Sequence, residues 1–115
     1  AGSPSIWWQD RAILASEEAF RRGGTAQAGR LLITVGSHEQ APVLAVTPQR
    51  AERLARARMR DNAAEMAQRL AASGRVACSF TEFPGENHVS VILPMLARTV
   101  AFALAGTAQN KAAAA

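Results

Sequence analysis

Two short polar stretches of this sequence carry side chains that can act together in proton transfer. The first, residues 36–40, contains Glu39, and the second, residues 85–88, ends in His88. A carboxylate that binds one nitrogen of an imidazole ring orients the ring and stabilises its protonated form, which leaves the other nitrogen to act as a general base. This chemistry requires a fold that brings the two stretches together.

Each polar stretch follows a segment that is predicted to be a strand. Residues 30–35 form a nearly continuous apolar run that ends at Gly36, which is the pattern of a strand buried on both faces, as in a parallel sheet. Residues 75–83 alternate enough to predict a second strand. We expect residues 31–35 and 76–80 to be parallel neighbours, because the segment between them is long enough for a crossover. The two polar stretches then emerge at the same edge of the sheet, where ligands collect.

Helical segments surround these strands. Residues 49–72 form the clearest helix, and a shorter one before the first strand is expected to begin at a cap, Asp10 or Ser16, and to end at residues 23–24. A final helix carries Pro94 in its first turn. The apolar residues at helical spacing in the clearest helix are Leu54, Met59, Ala63, Met66 and Leu70.

Strands that alternate with helices predict an α/β fold with parallel strands and right-handed crossover helices. Two strands are too few for such a sheet, so we expect an incomplete sheet, the carboxyl-terminal part of a larger α/β domain. Residues 1–110 are assigned to this part. The alanine-rich residues 111–115 are interpreted as a tag or a poorly ordered tail.

The composition argues against several classes of protein. The 115 residues carry a net charge of +4, but Lys111 is the only lysine, so we attribute the high isoelectric point to arginine and not to a nucleic-acid-binding surface. The one dense basic cluster, residues 50–60, lacks aromatic side chains and is interpreted as a solvated helix face. Apolar runs such as residues 101–105 are too short to cross a membrane, and without a signal peptide a cytoplasmic location is favoured. Cys78 stands alone and is expected to be a buried, inert thiol.

Alternatives remain for the residues of the site. Glu39 is the candidate acid and His88 the candidate base, close enough for a hydrogen bond. If their side chains point to opposite ends of the sheet, Glu86 takes the role of the acid. His38 and His88 have no recognisable metal-ligand spacing, so neither a metal nor a cofactor is predicted.

Trp7 and Trp8 lie within eight residues of the start of the chain and need a core or a ligand to cover them. Each is expected to pack, and one of the two is a candidate to face the pocket and stack on an aromatic acyl or catecholate group.

Three stretches of the chain, taken in order, resemble one enzyme family. They are residues 3–8 (SPSIWW), 31–40 (LLITVGSHEQ) and 82–90 (EFPGENHVS). With their spacing, they make the chain similar to the end of the esterase D-like and ferric-siderophore esterase branch of the α/β-hydrolase superfamily. This resemblance implies that His88 is the catalytic base and Glu39 the acid of a serine esterase.

The chain departs from that family at the nucleophile. The family's serine lies on a Gly-x-Ser-x-Gly turn before the SPS stretch, and this pattern does not occur in the 115 residues. Ser3 and Ser5 flank a proline and Ser37 follows the first strand, so none of them is expected to be the nucleophile.

We therefore expect a fragment of a serine ester hydrolase, inactive alone, whose intact form cleaves a small-molecule ester of the siderophore type. The alternative is a non-catalytic α/β module that binds a partner through an exposed sheet edge. Open strand edges and apolar surface also predict association with a second copy or with the missing amino-terminal part.

Overall fold

The computed structural model describes residues 1–23, 29–43 and 45–114. For residues 107–114 it describes the helical backbone only. The elements, in chain order, are α1 (Trp8–Arg11), α2 (Ile13–Arg22), β1 (Arg30–Gly36), a 3₁₀ turn (Ser37–Glu39), α3 (Pro48–Ala57), α4 (Met59–Ala72), β2 (Ala77–Phe83) and α5 (Ile92–Ala114). Gly23 ends α2 as predicted, whereas residue 24 of the predicted stop and residue 115 of the predicted tail lie outside the described residues.

The two strands form a parallel sheet, which confirms the predicted pairing. The register runs from Arg30 opposite Ala77 to Gly36 opposite Phe83. At the other edge of β1, the backbone N–H of Thr34 donates to the carbonyl of residue 1 (3.0 Å), and the N–H of Ser3 donates to the Thr34 carbonyl (2.8 Å). The start of the chain is thereby fixed beside the carboxyl end of β1.

Strand β1 is buried because helices contact both of its faces. Ile33 and Val35 pack in the core against α4, and on the opposite face the guanidinium of Arg30 donates to the Phe102 carbonyl of α5 (2.8 Å). A parallel pair between helices is an α/β arrangement, as the alternation of elements predicts. The buried core cluster consists of Ile6, Ile33, Val35, Ala63, Met66, Ala67 and Leu70.

The prediction of one continuous helix over residues 49–72 is wrong, because the helix breaks at Arg58. This residue has a left-handed backbone (φ 47°) and separates α3 from α4. The Asn62 side chain donates to the Ala57 carbonyl (3.1 Å) that the break leaves without its helical partner, and the Arg58 guanidinium binds Glu65 (2.7 Å). No glycine or proline marks the break in the sequence, so helical periodicity alone could not locate it.

The caps predicted for α2, the helix before the first strand, are also wrong. Residue Ala12 precedes α2 without a side-chain cap, Asp10 has a left-handed backbone (φ 52°), and Ser16 lies inside the helix. A partly buried ion pair holds α2 instead: the Arg69 guanidinium donates to both carboxylate oxygens of Glu17 (2.6 and 2.8 Å), and Glu17 is the buried member. Tertiary contact with α4 therefore replaces local capping as the anchor of α2.

The basic cluster of residues 50–60 carries several ion pairs on the surface. They join Arg56 to Glu52, Arg58 to Glu65 and Arg60 to Glu82. No helix within the described ranges is long and apolar enough to cross a bilayer.

Candidate functional site

The loops that follow the two strands are tied to each other at one edge of the sheet. The Gly85 N–H donates to the Ser37 hydroxyl (2.9 Å), and the His38 N–H donates to the Glu86 carbonyl (2.9 Å). Both loops leave the carboxyl ends of parallel strands, so the topology brings the two polar stretches together as predicted.

Gly36 permits the close approach of these loops. A Cβ atom at this position would clash with the Glu86 carbonyl oxygen, a backbone atom with little freedom to move. Its backbone angles are ordinary for a strand (φ −86°), so the requirement for glycine here is one of space. The Gly36 N–H also donates to the Glu39 carboxylate (2.7 Å).

The Glu39 carboxylate is buried and has three partners. Its Oε1 accepts the Gly36 N–H (2.7 Å) and the Ser3 hydroxyl (2.6 Å), and its Oε2 lies 2.7 Å from Nδ1 of His88. A charged group that is 2% exposed needs such partners, because an unpaired buried charge is costly. The predicted proximity of the Glu39 and His88 side chains is confirmed.

His88 lies in the turn that precedes α5. The Asn87 side chain accepts the N–H groups of Val89 (2.8 Å) and Ser90 (3.1 Å), while the Ser90 hydroxyl accepts the Asn87 N–H (3.0 Å). This reciprocal capping orders the backbone on both sides of His88. The ring is 66% exposed, and with Nδ1 occupied by Glu39 its Nε2 is the nitrogen left for a reacting group.

The competing side chains occupy other positions. Glu86 contributes its backbone carbonyl to the loop contact, and within the described chain its carboxylate has no hydrogen bond or ion pair. His38 does not line the cavity that contains Trp7; it lines an adjoining one, which has His88 and Arg50 in common with the first. Among the described residues, no group of three or more His, Cys, Asp and Glu side chains is placed to hold a metal ion.

An apolar cavity of about 440 Å³ opens beside the His88 ring. Trp7 lines it, and the Trp7 indole N–H donates to the sulfur of Met59 (3.1 Å), whereas Trp8 is 60% exposed and is not part of the lining. The guanidinium-bearing residues Arg50 and Arg53 line the same cavity. A bound molecule in this space would therefore meet an indole, aliphatic side chains and positive charge.

Two residues of the site were not assigned these roles from the sequence. Asn87 has a usable local signal, since Asn followed three residues later by Ser precedes an apolar helix. Ser3 has none, because its partner Glu39 is 36 residues away along the chain.

Cys78 is half-buried, and desolvation raises the pKa of its thiol, which makes the reactive thiolate scarcer.

Comparison with known proteins gives relatives of one kind, although no family model matches the chain. The chain is 37% identical over 112 residues to a siderophore enterobactin esterase of Emericella nidulans, 35% over 102 residues to a siderophore triacetylfusarinine C esterase of Aspergillus fumigatus, and 33% over 108 residues to a ferri-bacillibactin esterase of Bacillus subtilis. These matches cover 89%, 80% and 90% of the chain. The chain spans only 33% to 37% of the length of these curated relatives.

Solved structures agree with the sequence comparison. The fold superimposes on the siderophore hydrolase EstA from Aspergillus nidulans with a TM-score of 0.82 at 36% identity, covering 89% of this chain and 37% of that one. The siderophore hydrolase EstB from the same organism gives a TM-score of 0.77 at 31% identity, covering 86% of this chain and 37% of that one. The resemblance predicted from three short stretches is thus confirmed over most of the chain.

Proposed function

We propose, from the premise that most of this chain is similar to siderophore esterases, that it carries the acid and the base of a serine ester hydrolase of the α/β-hydrolase type. The observation that carries the proposal is the 2.7 Å contact between Oε2 of Glu39 and Nδ1 of His88 at the carboxyl edge of parallel strands. In the intact protein, residues outside these 115 supply the serine nucleophile and the oxyanion donors.

The proposed mechanism assigns one proton-transfer role to each residue. His88 Nε2 accepts the serine proton as the serine oxygen attacks the ester carbonyl, and Glu39 stabilises the imidazolium that forms. The same proton then passes to the departing alkoxide, which leaves as an alcohol, and the acyl group remains on the serine as an acyl-enzyme. A water molecule then attacks the acyl carbon while His88 takes its proton, and His88 returns that proton to the serine oxygen as the bond to the acyl group breaks, which releases the acid and the free serine.

The cavity beside His88 supports the proposed substrate class. Trp7, Leu54 and Met59 offer apolar contact, and a ring on the ester could stack on the indole of Trp7. Arg50 and Arg53 make no hydrogen bond or ion pair through their side chains within the described chain, so they are available to an anionic group. We propose an ester of the siderophore type, in keeping with the names of the relatives, with Trp7 in contact and Trp8 at the rim.

The test is hydrolysis of a simple aryl ester and of a siderophore ester by the intact protein and by its His88→Ala variant. We expect this variant to lose activity by a factor on the order of 10⁴ or more, since the triad base is removed. His38→Ala is the matched control, because it removes a neighbouring imidazole that makes no hydrogen bond to the Glu39 carboxylate. Wild-type turnover in His88→Ala would contradict the proposal.

The isolated chain is expected to hydrolyse neither ester. Within the described residues, no serine hydroxyl is hydrogen-bonded to the His88 ring, and a triad base without a nucleophile performs no acyl transfer. Measurable turnover by the 115-residue polypeptide, abolished by His88→Ala, would show that one of its own serines is the nucleophile.

One observation favours the second candidate, a non-catalytic interaction module. Large apolar side chains on α5, among them Leu93, Leu96 and Val100, are exposed. Such a surface fits a binding role as well as the interior of a larger enzyme. An intact protein that lacks hydrolytic activity on both esters would favour the module.

A further inference from the structure

We propose that Ser3 is a positioning residue for the reaction: its hydroxyl fixes the Glu39 carboxylate in the orientation that holds His88. This inference rests on the proposed function of the Glu39–His88 pair. The Ser3 hydroxyl donates to Oε1 of Glu39 over 2.6 Å, and both residues are buried. This role also explains why Ser3 is unsuited to be the nucleophile, because its hydroxyl proton is donated to a carboxylate and not to the base.

The two carboxylate oxygens of Glu39 have different hydrogen-bond partners. Oε1 receives two donors, the Ser3 hydroxyl and the Gly36 N–H, while Oε2 faces Nδ1 of His88. A carboxylate turns easily about its last bond, so one backbone donor alone would leave its plane free to rotate. The second donor on the same oxygen sets the plane and keeps Oε2 on the imidazole.

The backbone holds Ser3 in place for this contact. Its N–H donates to the Thr34 carbonyl (2.8 Å), and residue 2 pairs with Thr34 as a parallel bridge. Ser3 has a left-handed backbone (φ 42°), which residues other than glycine seldom adopt. Unfavourable backbone conformations of this kind persist where the surroundings determine them, and they cluster at functional sites.

A double-mutant cycle in the intact protein tests the proposal. Ser3→Ala is expected to lower kcat roughly tenfold with KM changed less than about twofold, the effect of losing one hydrogen bond to a charged group. In a Glu39→Gln background the same change should lower kcat by less than about twofold, because Ser3 acts through the Glu39 carboxylate. Equal losses in both backgrounds would overturn the proposal.

Ser73→Ala is the matched control, since the Ser73 hydroxyl donates to the Leu70 carbonyl over 2.6 Å at the end of α4, away from the site. It should reduce stability to a similar degree and leave kcat unchanged. A loss of kcat in Ser73→Ala as large as that in Ser3→Ala would show that general destabilisation explains both, and would overturn the proposal.

A spectroscopic measurement separates this inference from the proposed function. Nitrogen-15 NMR of the His88 ring reports which nitrogen carries the proton, without any need for turnover. Wild type and Ser73→Ala should show the Nδ1–H tautomer, and Ser3→Ala a mixture of both tautomers. An inactive wild-type protein with this pattern would refute the esterase proposal while showing that Ser3 orients the Glu39–His88 pair, whereas a pure Nδ1–H tautomer in Ser3→Ala would refute the role of Ser3.

Discussion

At the scale of single residues, burial differs sharply between the two members of the pair. The side chain of Glu39 is 1% exposed and that of His88 is 66% exposed, although the two are in contact. The carboxylate is enclosed by donors from Ser3 and Gly36, while the ring presents its other nitrogen to a cavity. This asymmetry suits an acid that orients and a base that must meet a reacting group.

Replacement of the acid should therefore cost less than replacement of the base. We expect kcat of the intact protein to remain roughly 100-fold higher in Glu39→Gln than in His88→Ala, since Glu39 stabilises the imidazolium but transfers no proton. The measurement is kcat on one ester for both variants and for wild type. Equal losses would mean that Glu39 is as essential as His88 to the proton transfer itself.

Gly36→Ala should damage both stability and the site. The new methyl group would clash with the Glu86 carbonyl, so the two loops must separate, at a cost of about 1–3 kcal/mol in unfolding free energy. Activity should fall with it, because the same loops carry Glu39 and His88.

Gly74→Ala is the control for this experiment. Gly74 has a left-handed backbone (φ 67°) with no atom within 4 Å of an added Cβ, so alanine there costs about 1 kcal/mol of backbone strain and touches nothing at the site. Thermal unfolding and kcat, measured on both variants, separate the effects. Full activity in Gly36→Ala would show that the loops tolerate separation.

At the scale of elements, a polar contact joins the 3₁₀ turn that carries Glu39 to helix α4. The Gln40 amide donates to the Asp61 carboxylate (2.8 Å), and the Asp61 N–H donates to the Gln40 side-chain oxygen (3.1 Å). The Gln40 hydrogen bond lowers the pKa of Asp61 below its usual value, with a smaller contribution from Arg58 and Arg60, against the opposing effect of burial. The turn is thus held to α4 as well as to the loop after β2.

This contact should make part of the stability depend on acid pH. The folded-state pKa of Asp61 lies below the ordinary value for an aspartate, so its stabilising contribution is present above that ordinary value and is lost as the pH falls through the lower, folded-state value. In Asp61→Asn, the midpoint temperature of thermal unfolding should fall less steeply below pH 4 than it does in wild type. Asp10→Asn, which removes a carboxylate without hydrogen bonds in the described part of the chain, should follow wild type; identical profiles for Asp61→Asn and wild type would contradict the expectation.

At the scale of the whole molecule, the apolar surface is larger than a two-stranded sheet with its helices can cover. The large apolar side chains that α5 exposes, over the part whose side chains the structure describes, include Ile92, Leu93, Leu96, Val100 and Leu104. Strand β2 is itself only half-buried. Surfaces of this kind are sites of association between chains.

The 115-residue polypeptide produced alone should therefore associate with itself. Light scattering is expected to give a mass above that of the 12.2 kDa chain, and the double substitution Leu93→Gln, Val100→Gln should lower it by removing apolar area from α5. Thr99→Gln is a control on the same helix. A sharp monomer of about 12 kDa with cooperative unfolding would show that these residues form a stable domain by themselves.

The sequence by itself determined the elements that depend on local pattern. The apolar run of β1, the alternation of β2 and the length of the segment between them were enough to predict a parallel pair, and the polar residues after each strand placed Glu39 and His88 at one edge. These predictions succeeded because the local apolar pattern indicates a strand that is buried on both faces, and because the carboxyl ends of parallel strands lie at the same edge of a sheet.

Only the tertiary structure decided the features that depend on residues far apart in the chain. The hydroxyl of Ser3 meets Glu39 across 36 positions, Glu17 holds α2 through Arg69 across 52, and the helix breaks at Arg58 without glycine or proline. For α2 and for the break at Arg58, polar contacts with other segments outweigh the local preference for a cap or for a continuous helix, and for Ser3 the local sequence carries no sign of its partner. No periodicity or short motif records such contacts, because they exist only after the sheet and helices have packed.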